Sequence, residues 1–261
     1  MWGENKVVKI YLAGLESKMC RGTSTHIIDT LSEWGFDKVY ALSSFYFVSP
    51  KYSRYISLFK DFLLDSGAYS FMKKNDKKTD WNKYLEKYIA YIKENKIKKF
   101  FELDIDSLVG YDKVKEMRYR LEKLVGKQCI PVWHCSRGLE EFFRMCEEYS
   151  YAAIGDIAIG HISVQDYKYF PYLIREAHKR CCKIHGLGLT SSGALRKYHF
   201  DTADSSTWSG AGRFGKLYFF KDGHMVGRRR IKGMRMKDWK RADIHNLKQF
   251  LKYQEYAENH L

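Results

Sequence analysis

Short runs dominated by Val, Ile, Tyr and Phe recur along the chain and alternate with longer stretches whose apolar residues return every three or four positions. The first pattern is that of a buried strand and the second that of an amphipathic helix, so the alternation predicts βαβ units feeding a parallel sheet. Eight runs stand out, at 7–13, 38–43, 62–64, 100–103, 130–133, 151–154, 183–187 and 198–202. Between them, 81–95 places Tyr84, Leu85, Tyr88, Ile89 and Ile92 on one helical face, and 111–125 reads as a second helix. An open doubly wound sheet would show the same periodicity, but eight strands with intervening helices favour an α/β fold of the (β/α)8 TIM-barrel type. After Gly215 the pattern becomes Lys216-Leu217-Tyr218-Phe219-Phe220, a turn at Asp222-Gly223, then Met225-Val226, which predicts a hairpin. A last helix is expected over 241–259. The expected organisation is a catalytic barrel over 1–215, with a basic hairpin-and-helix extension over 216–261 that belongs to the same domain.

Composition narrows the class. Of 261 residues, 45% are hydrophobic and only three are proline, which excludes a disordered or collagen-like chain. Lys and Arg number 46 against 31 Asp and Glu, a formal +15 that favours a polyanionic partner, with nucleic acid first. No long basic amphipathic helix, no signal-peptide pattern and no apolar run near the ~18 residues that span a bilayer can be found, so a soluble, cytoplasmic protein without a membrane partner is expected. The six cysteines, Cys20, Cys129, Cys135, Cys146, Cys181 and Cys182, form no CxxC pair. Adjacent Cys181 and Cys182 would point to opposite faces of a strand, so reduced thiols and no metal site are expected, His185 notwithstanding. The run Lys73-Lys74-Asn75-Asp76-Lys77-Lys78 reads as a solvated surface loop.

In a barrel of this kind the working residues follow the C-terminal ends of strands. Here those ends are polar: Asp65-Ser66-Gly67-Ala68-Tyr69-Ser70, Asp104-Ile105-Asp106, His134-Cys135-Ser136, the stretch from Gly155-Asp156-Ile157 to Gly160, and Asp204-Ser205-Ser206-Thr207-Trp208. These strand ends thus offer carboxylates to one cleft, where shared burial splits their pKa values and leaves one group ionised and another able to carry a proton. Each aspartate also has the plainer reading of a helix N-cap. Gly186-Leu187-Gly188 fits neither a dinucleotide fingerprint nor a P-loop, and the zinc deaminase pattern is absent.

Taken in order, these elements resemble the tRNA-guanine transglycosylase superfamily, nearest to the compact zinc-free relatives that insert 7-deazaguanine bases into the DNA of phages and mobile elements. Asp65-Ser66-Gly67-Ala68-Tyr69 is similar to the family's DSGGF element, Leu103-Asp104-Ile105 to LDI, the stretch from Tyr151 to Gly160 to AIGGLAVG, and His185-Gly186-Leu187-Gly188 to HLxGxG. Asp204-Ser205-Ser206-Thr207-Trp208 with Arg213-Phe214-Gly215 is similar to the DSxSY and ARxG stretch.

The resemblance implies a pentosyltransferase that exchanges guanine in DNA for a 7-deazaguanine co-substrate, with Asp204 as nucleophile and Asp65 as general acid and base. It places Asp104, with Asp106 as a neighbouring second choice, on the edge of the base, and Tyr69 stacked on its face. Ser66, Gly67, Gly155, Asp156, Ile157 and Trp208 would complete the pocket. Trp133 or His134 stands where the family has a base-contacting glutamine. No cysteine follows Cys182, so the family's zinc module is missing and no cofactor is implied.

The segment 221–241 carries Lys221, Arg228, Arg229, Arg230, Lys232, Arg235, Lys237, Lys240 and Arg241 against Asp222 and Asp238, and with Arg213 it would neutralise phosphates. Action on tRNA, a nucleic-acid-binding barrel without catalysis and a hydrolytic nucleosidase are the alternative functions. A homodimer or a duplex-opening partner protein is left open.

Overall fold

A computed structural model describes residues 8–20, 25–68, 70–71, 79–189, 191–210, 215–229 and 238–261. The chain alternates strands and helices as the periodicity predicts. Strands β1 (Lys9–Ala13), β2 (Tyr40–Ser44), β3 (Asp61–Asp65), β4 (Val132–Trp133), β5 (Tyr151–Ile154), β6 (Lys183–Gly186) and β7 (Thr202–Ser205) form one parallel sheet in the order β3-β2-β1-β7-β6-β5-β4. Phe100 and Phe101 lie between its two ends, bridging Leu64 on one side and Ile130 on the other, and so close the sheet into a ring of eight segments. The fold is a TIM-like (β/α)8 barrel.

The helices are α1 (Leu15–Met19), α2 (His26–Trp34), α3 (Pro50–Ser53), α4 (Trp81–Glu94), α5 (Asp106–Val109), α6 (Tyr111–Val125), α7 (Gly138–Glu148), α8 (Phe170–Lys179), α9 (Ser192–Tyr198) and α10 (Trp239–His260). In α4 the spacing of Leu85, Tyr88, Ile89 and Ile92 buries one stripe against the sheet, and Asp80 caps the first turn by accepting the Lys83 amide at 3.0 Å. The residues pointing into the barrel alternate along each strand, as a pleated backbone requires: Tyr11 and Ala13, Tyr40 and Leu42, Leu63, Phe101, Ile130 and Val132, and Ala153 form one cluster. Their outward neighbours, such as Leu12, Leu64, Ile154 and Ile184, pack under the helices.

Two boundaries differ from the sequence expectation. The eighth run, 198–202, is the end of α9 followed by a turn in which His199 has φ +51°, and the strand itself is β7, Thr202–Ser205. The apolar character of Tyr198 and Phe200 comes from packing against Phe170, not from a strand. The last helix is longer than expected, starting at Trp239 under an Asp238 cap that accepts the Arg241 amide.

The hairpin is confirmed as β8 (Lys216–Lys221) and β9 (His224–Arg229), and α10 ties it to the barrel. Asn246 accepts the Tyr218 amide at 2.9 Å and donates to the carbonyls of Trp208 and Lys216. Gln254 plays the corresponding part between β1 and β2, whose pairing begins only at Leu12 and Ala41. Its carboxamide accepts the Tyr40 amide at 3.2 Å and donates to the carbonyls of Tyr40 and Ile10. Gln254→Leu removes three buried partners at once, so a loss of about 2–4 kcal/mol in urea unfolding is expected; unchanged stability would show that the strands re-pair without it. No described helix is long and apolar enough to cross a membrane.

Candidate functional site

Inward alternation brings chemistry to the C-terminal mouth of the barrel, because the positions after Leu63, Val132, Ala153 and Thr202 in the same register are Asp65, His134, Gly155 and Asp204. Asp65 is the last residue of β3, and one carboxylate oxygen accepts the Gly67 amide at 3.0 Å. The turn that supplies this amide needs glycine: Gly67 has φ +84°, and a Cβ there would stand 2.6 Å from Cβ of Tyr46. Burial, then the negative charges of Asp104 and Asp204, push Asp65 up to about 7, against the opposing pull of the Gly67 amide. Asp65 is therefore divided between its acid and base forms near neutral pH.

Asp104 is buried, with Ser66 Oγ 3.4 Å from one oxygen and His134 Nε2 3.5 Å from the other. His134 is the hinge of the cluster. Its Nδ1 stands 2.9 Å from Asp156, whose second oxygen accepts the Cys135 amide at 2.8 Å. Burial alone would lower the imidazole, but the Asp104 and Asp156 carboxylates outweigh it and raise His134 to about 10. Burial also works against the Asp156 carboxylate, but the hydrogen bonds from His134 and Cys135 bring it down to about 2. The pair is an ion pair. Asp156 holds φ +62°, and Gly155 beside it lets the ring approach so closely that a Cβ would lie 2.7 Å from His134 Cε1.

Asp204 lies within β7 and faces inward. One of its oxygens takes both the Gly188 amide at 2.5 Å and His185 Nε2 at 3.2 Å. His185 is fully buried, its Nδ1 2.8 Å from Thr202 Oγ1 and its ring edge-on to Tyr11 and Phe101. In the sequence His185 stands out beside Cys181 and Cys182 and within a motif, and only its inward register on β6 signals that it supports Asp204.

Other expected positions are placed elsewhere. Asp106 opens α5 and is held in a two-pronged pair by Arg137, at 2.9 and 2.7 Å. Arg137 also bonds the fully buried Glu102 at 2.8 Å and stacks on the Tyr111 ring, so Asp106 is tied into a framework beneath the mouth while one of its oxygens stays 4.0 Å from His134 Nε2. Trp208 is buried in the core and donates to the Ala13 carbonyl at 2.9 Å. Ile157 packs among apolar residues of the β5–α8 region. Trp133 points outward, against Phe142, so of the two residues weighed for one contact His134 alone reaches the mouth. Tyr69, Arg213, Arg230, Lys232 and Arg235 lie outside the described residues, as does the side chain of Arg229. Of the basic segment, Lys221, Arg228, Lys240 and Arg241 are described and exposed. Among the described residues no group of three or more His, Cys, Asp or Glu side chains is arranged to hold a metal ion.

No protein-family model matches the chain, and no curated protein matches it in sequence. Solved structures do match in fold. One is an aldolase designated QR15, with a TM-score of 0.50 at 11% identity over 79% of this chain and 93% of that one. Another is a putative copper homeostasis protein, CutC, from Streptococcus agalactiae, with a TM-score of 0.50 at 9% identity over 77% of this chain and 98% of that one. At such identities the likeness shows the barrel alone. These findings overturn the expected membership of the tRNA-guanine transglycosylase superfamily. The pentosyltransferase activity, the exchange of guanine for 7-deazaguanine, the link to phages and the alternatives on tRNA, as a nucleosidase or as a nucleic-acid-binding barrel fall with it. The motif elements are strand ends that a barrel of carboxylate-bearing loops shares without sharing the reaction.

Proposed function

We propose that the chain is a proton-transfer enzyme acting on a small cationic substrate at the barrel mouth, with Asp65 as the general acid and base. The observation that carries this reading is the placement of Asp65 at the end of β3, facing Asp104 and Asp204 across the mouth, a neighbourhood that raises its carboxyl to about 7. Among the described residues, Asp65, Asp104, Asp156 and Asp204 outnumber the imidazoles set against them, His134, His161 and His185, so the mouth is rich in acceptors and favours a substrate bearing an ammonium or amidinium group. Asp104 and Asp204 would hold that group, His185 and the Gly188 amide would fix Asp204, and the His134–Asp156 pair would keep Asp104 in place. An aldolase among the similar folds is compatible with carbon-centred proton transfer at this face, by analogy of fold only. The copper named for the other finds no counterpart among the described residues. With six free cysteines, a reducing cytoplasmic setting is part of the proposal.

Proton transfer leaves an isotopic trace. Incubated in D2O with a pool of small amines, cationic amino acids and amino ketones, the protein should wash deuterium into one of them, seen as a mass shift. The rate should rise with pH through about 7 and fall about 10²–10⁴-fold in Asp65→Asn. No wash-in by the wild type, or undiminished wash-in by Asp65→Asn, would overturn the reading.

A further inference from the structure

Outside the barrel, between α7 and α8 and beneath the loop that follows β5, lies a cavity of about 480 Å³ that the acid–base reading does not use. Trp133, Leu139, Ile162, Tyr172 and Leu173 supply apolar and aromatic walls. The volume falls within the range of small-molecule pockets, roughly 300–1,000 Å³, and is too small for a folded partner element. Its lip is unusually apolar for a surface: Leu139, Tyr169 and Tyr172 are 49%, 55% and 43% exposed.

The polar groups at the cavity are already disposed of. Asp166 accepts from both the backbone and the hydroxyl of Ser163 in a capping box, which holds its carboxylate below the ordinary range. The Cys135 thiol, free and exposed, is pushed up by partial burial and by the Asp156 charge, which disfavours its thiolate. The cations are differently placed. Lys168 Nζ sits 5.1 Å from the centre of the Tyr169 ring, and the Arg175 guanidinium 5.9 Å from that of Tyr172, so two exposed cations stand over two rings that line the cavity. Lys168 also acts on the Asp166 carboxylate and helps to hold it down, which leaves Arg175 as the cation further from that acid.

We infer that this cavity is a binding site for an anionic amphiphile: a small molecule whose aromatic or branched aliphatic body fills the apolar walls while its carboxylate or sulfonate meets Lys168 and Arg175. The site is distinct from the barrel mouth, where the charge preference is opposite, and the inference stands whether or not Asp65 transfers protons.

The test uses the full chain with 8-anilinonaphthalene-1-sulfonate, the neutral N-phenyl-1-naphthylamine and decanoate. The sulfonate dye should bind saturably to one site on the folded protein and be displaced by decanoate. Leu139→Glu, a change at a lip position that is 49% exposed in the first turn of α7, should weaken both dyes about tenfold or more by placing a charge in the apolar entrance. Lys168→Glu with Arg175→Glu should weaken the sulfonate by about three- to tenfold and leave the neutral dye unchanged. Near-ultraviolet circular dichroism confirms the fold of each variant. Dye fluorescence that does not saturate, or sulfonate binding indifferent to Leu139→Glu, overturns the site. Equal response of both dyes to the charge reversals, or failure of decanoate to compete, overturns the anionic ligand.

Discussion

Asp65→Asn is expected to make the protein more stable at alkaline pH than the wild type. A carboxyl whose folded pKa, about 7, lies above its ordinary 3.8 keeps a proton in the fold that the unfolded chain has already released. Stability is therefore lost as pH rises from about 4 to about 7, by on the order of 4 kcal/mol over three pH units. Asparagine has no charge to desolvate, so the variant should escape that loss. Glu16, buried on α1 and also raised to about 7, pulls in the same direction but is present in both proteins, so the difference between them isolates Asp65. Urea unfolding of both proteins across that window should give curves that separate as pH rises and run parallel above it. Parallel curves throughout would mean that Asp65 ionises in the fold without penalty. Stability gained where activity is lost is the expected mark of a group kept for chemistry.

His134→Ala is expected to have an effect of similar size in the opposite direction. The substitution strands Asp104 and Asp156 without the cation between them, and removing one partner of a buried ion pair costs about 3–5 kcal/mol. The pH dependence has its own sign. Because His134 is raised to about 10, its contribution is complete below the ordinary imidazole value of 6.5 and is lost as pH climbs through about 10. The gap in melting temperature between wild type and variant should be widest in mild acid and narrow toward pH 10. A constant gap would show that His134 contributes by packing alone.

The barrel was legible because its periods are physical. Inward and outward positions on a strand must alternate, and helices over a sheet must carry one apolar stripe, so seven of the eight runs fall on or beside observed strand segments. The eighth failed at Tyr198 and Phe200, whose burial against Phe170 looks in the sequence like a strand. The mouth was legible in part, since a carboxylate at a strand end announces itself. What becomes of each carboxylate was not. Asp104 and Asp106 are two residues apart and chemically identical, and both lie within 4.0 Å of His134 Nε2, yet only Asp106 is also gripped by Arg137, a partner 31 residues away that no local pattern nominates. The same limit explains the misleading family resemblance. Short elements such as Asp65-Ser66-Gly67 encode a turn that needs glycine at φ +84° as much as they encode a reaction, and turns recur across unrelated barrels.

The ring of strands is not equally strong all the way round. Where β2 pairs with β3 over five residues, the opposite side of β3 is joined to Phe100 through one isolated bridge at Leu64, and Phe101 to Ile130 likewise. The Tyr88 hydroxyl, reaching in from α4 to the carbonyls of Leu64 and Phe101, reinforces that join from outside. This is the seam at which amide hydrogens should exchange first and the cylinder should breathe. Asp65 ends the strand on one lip of the seam and Asp104 follows the segment on the other. An opening at this seam would spread the two carboxylates and admit water between them, and so would tie the readiness of Asp65 to give up its proton to the motion of the barrel wall.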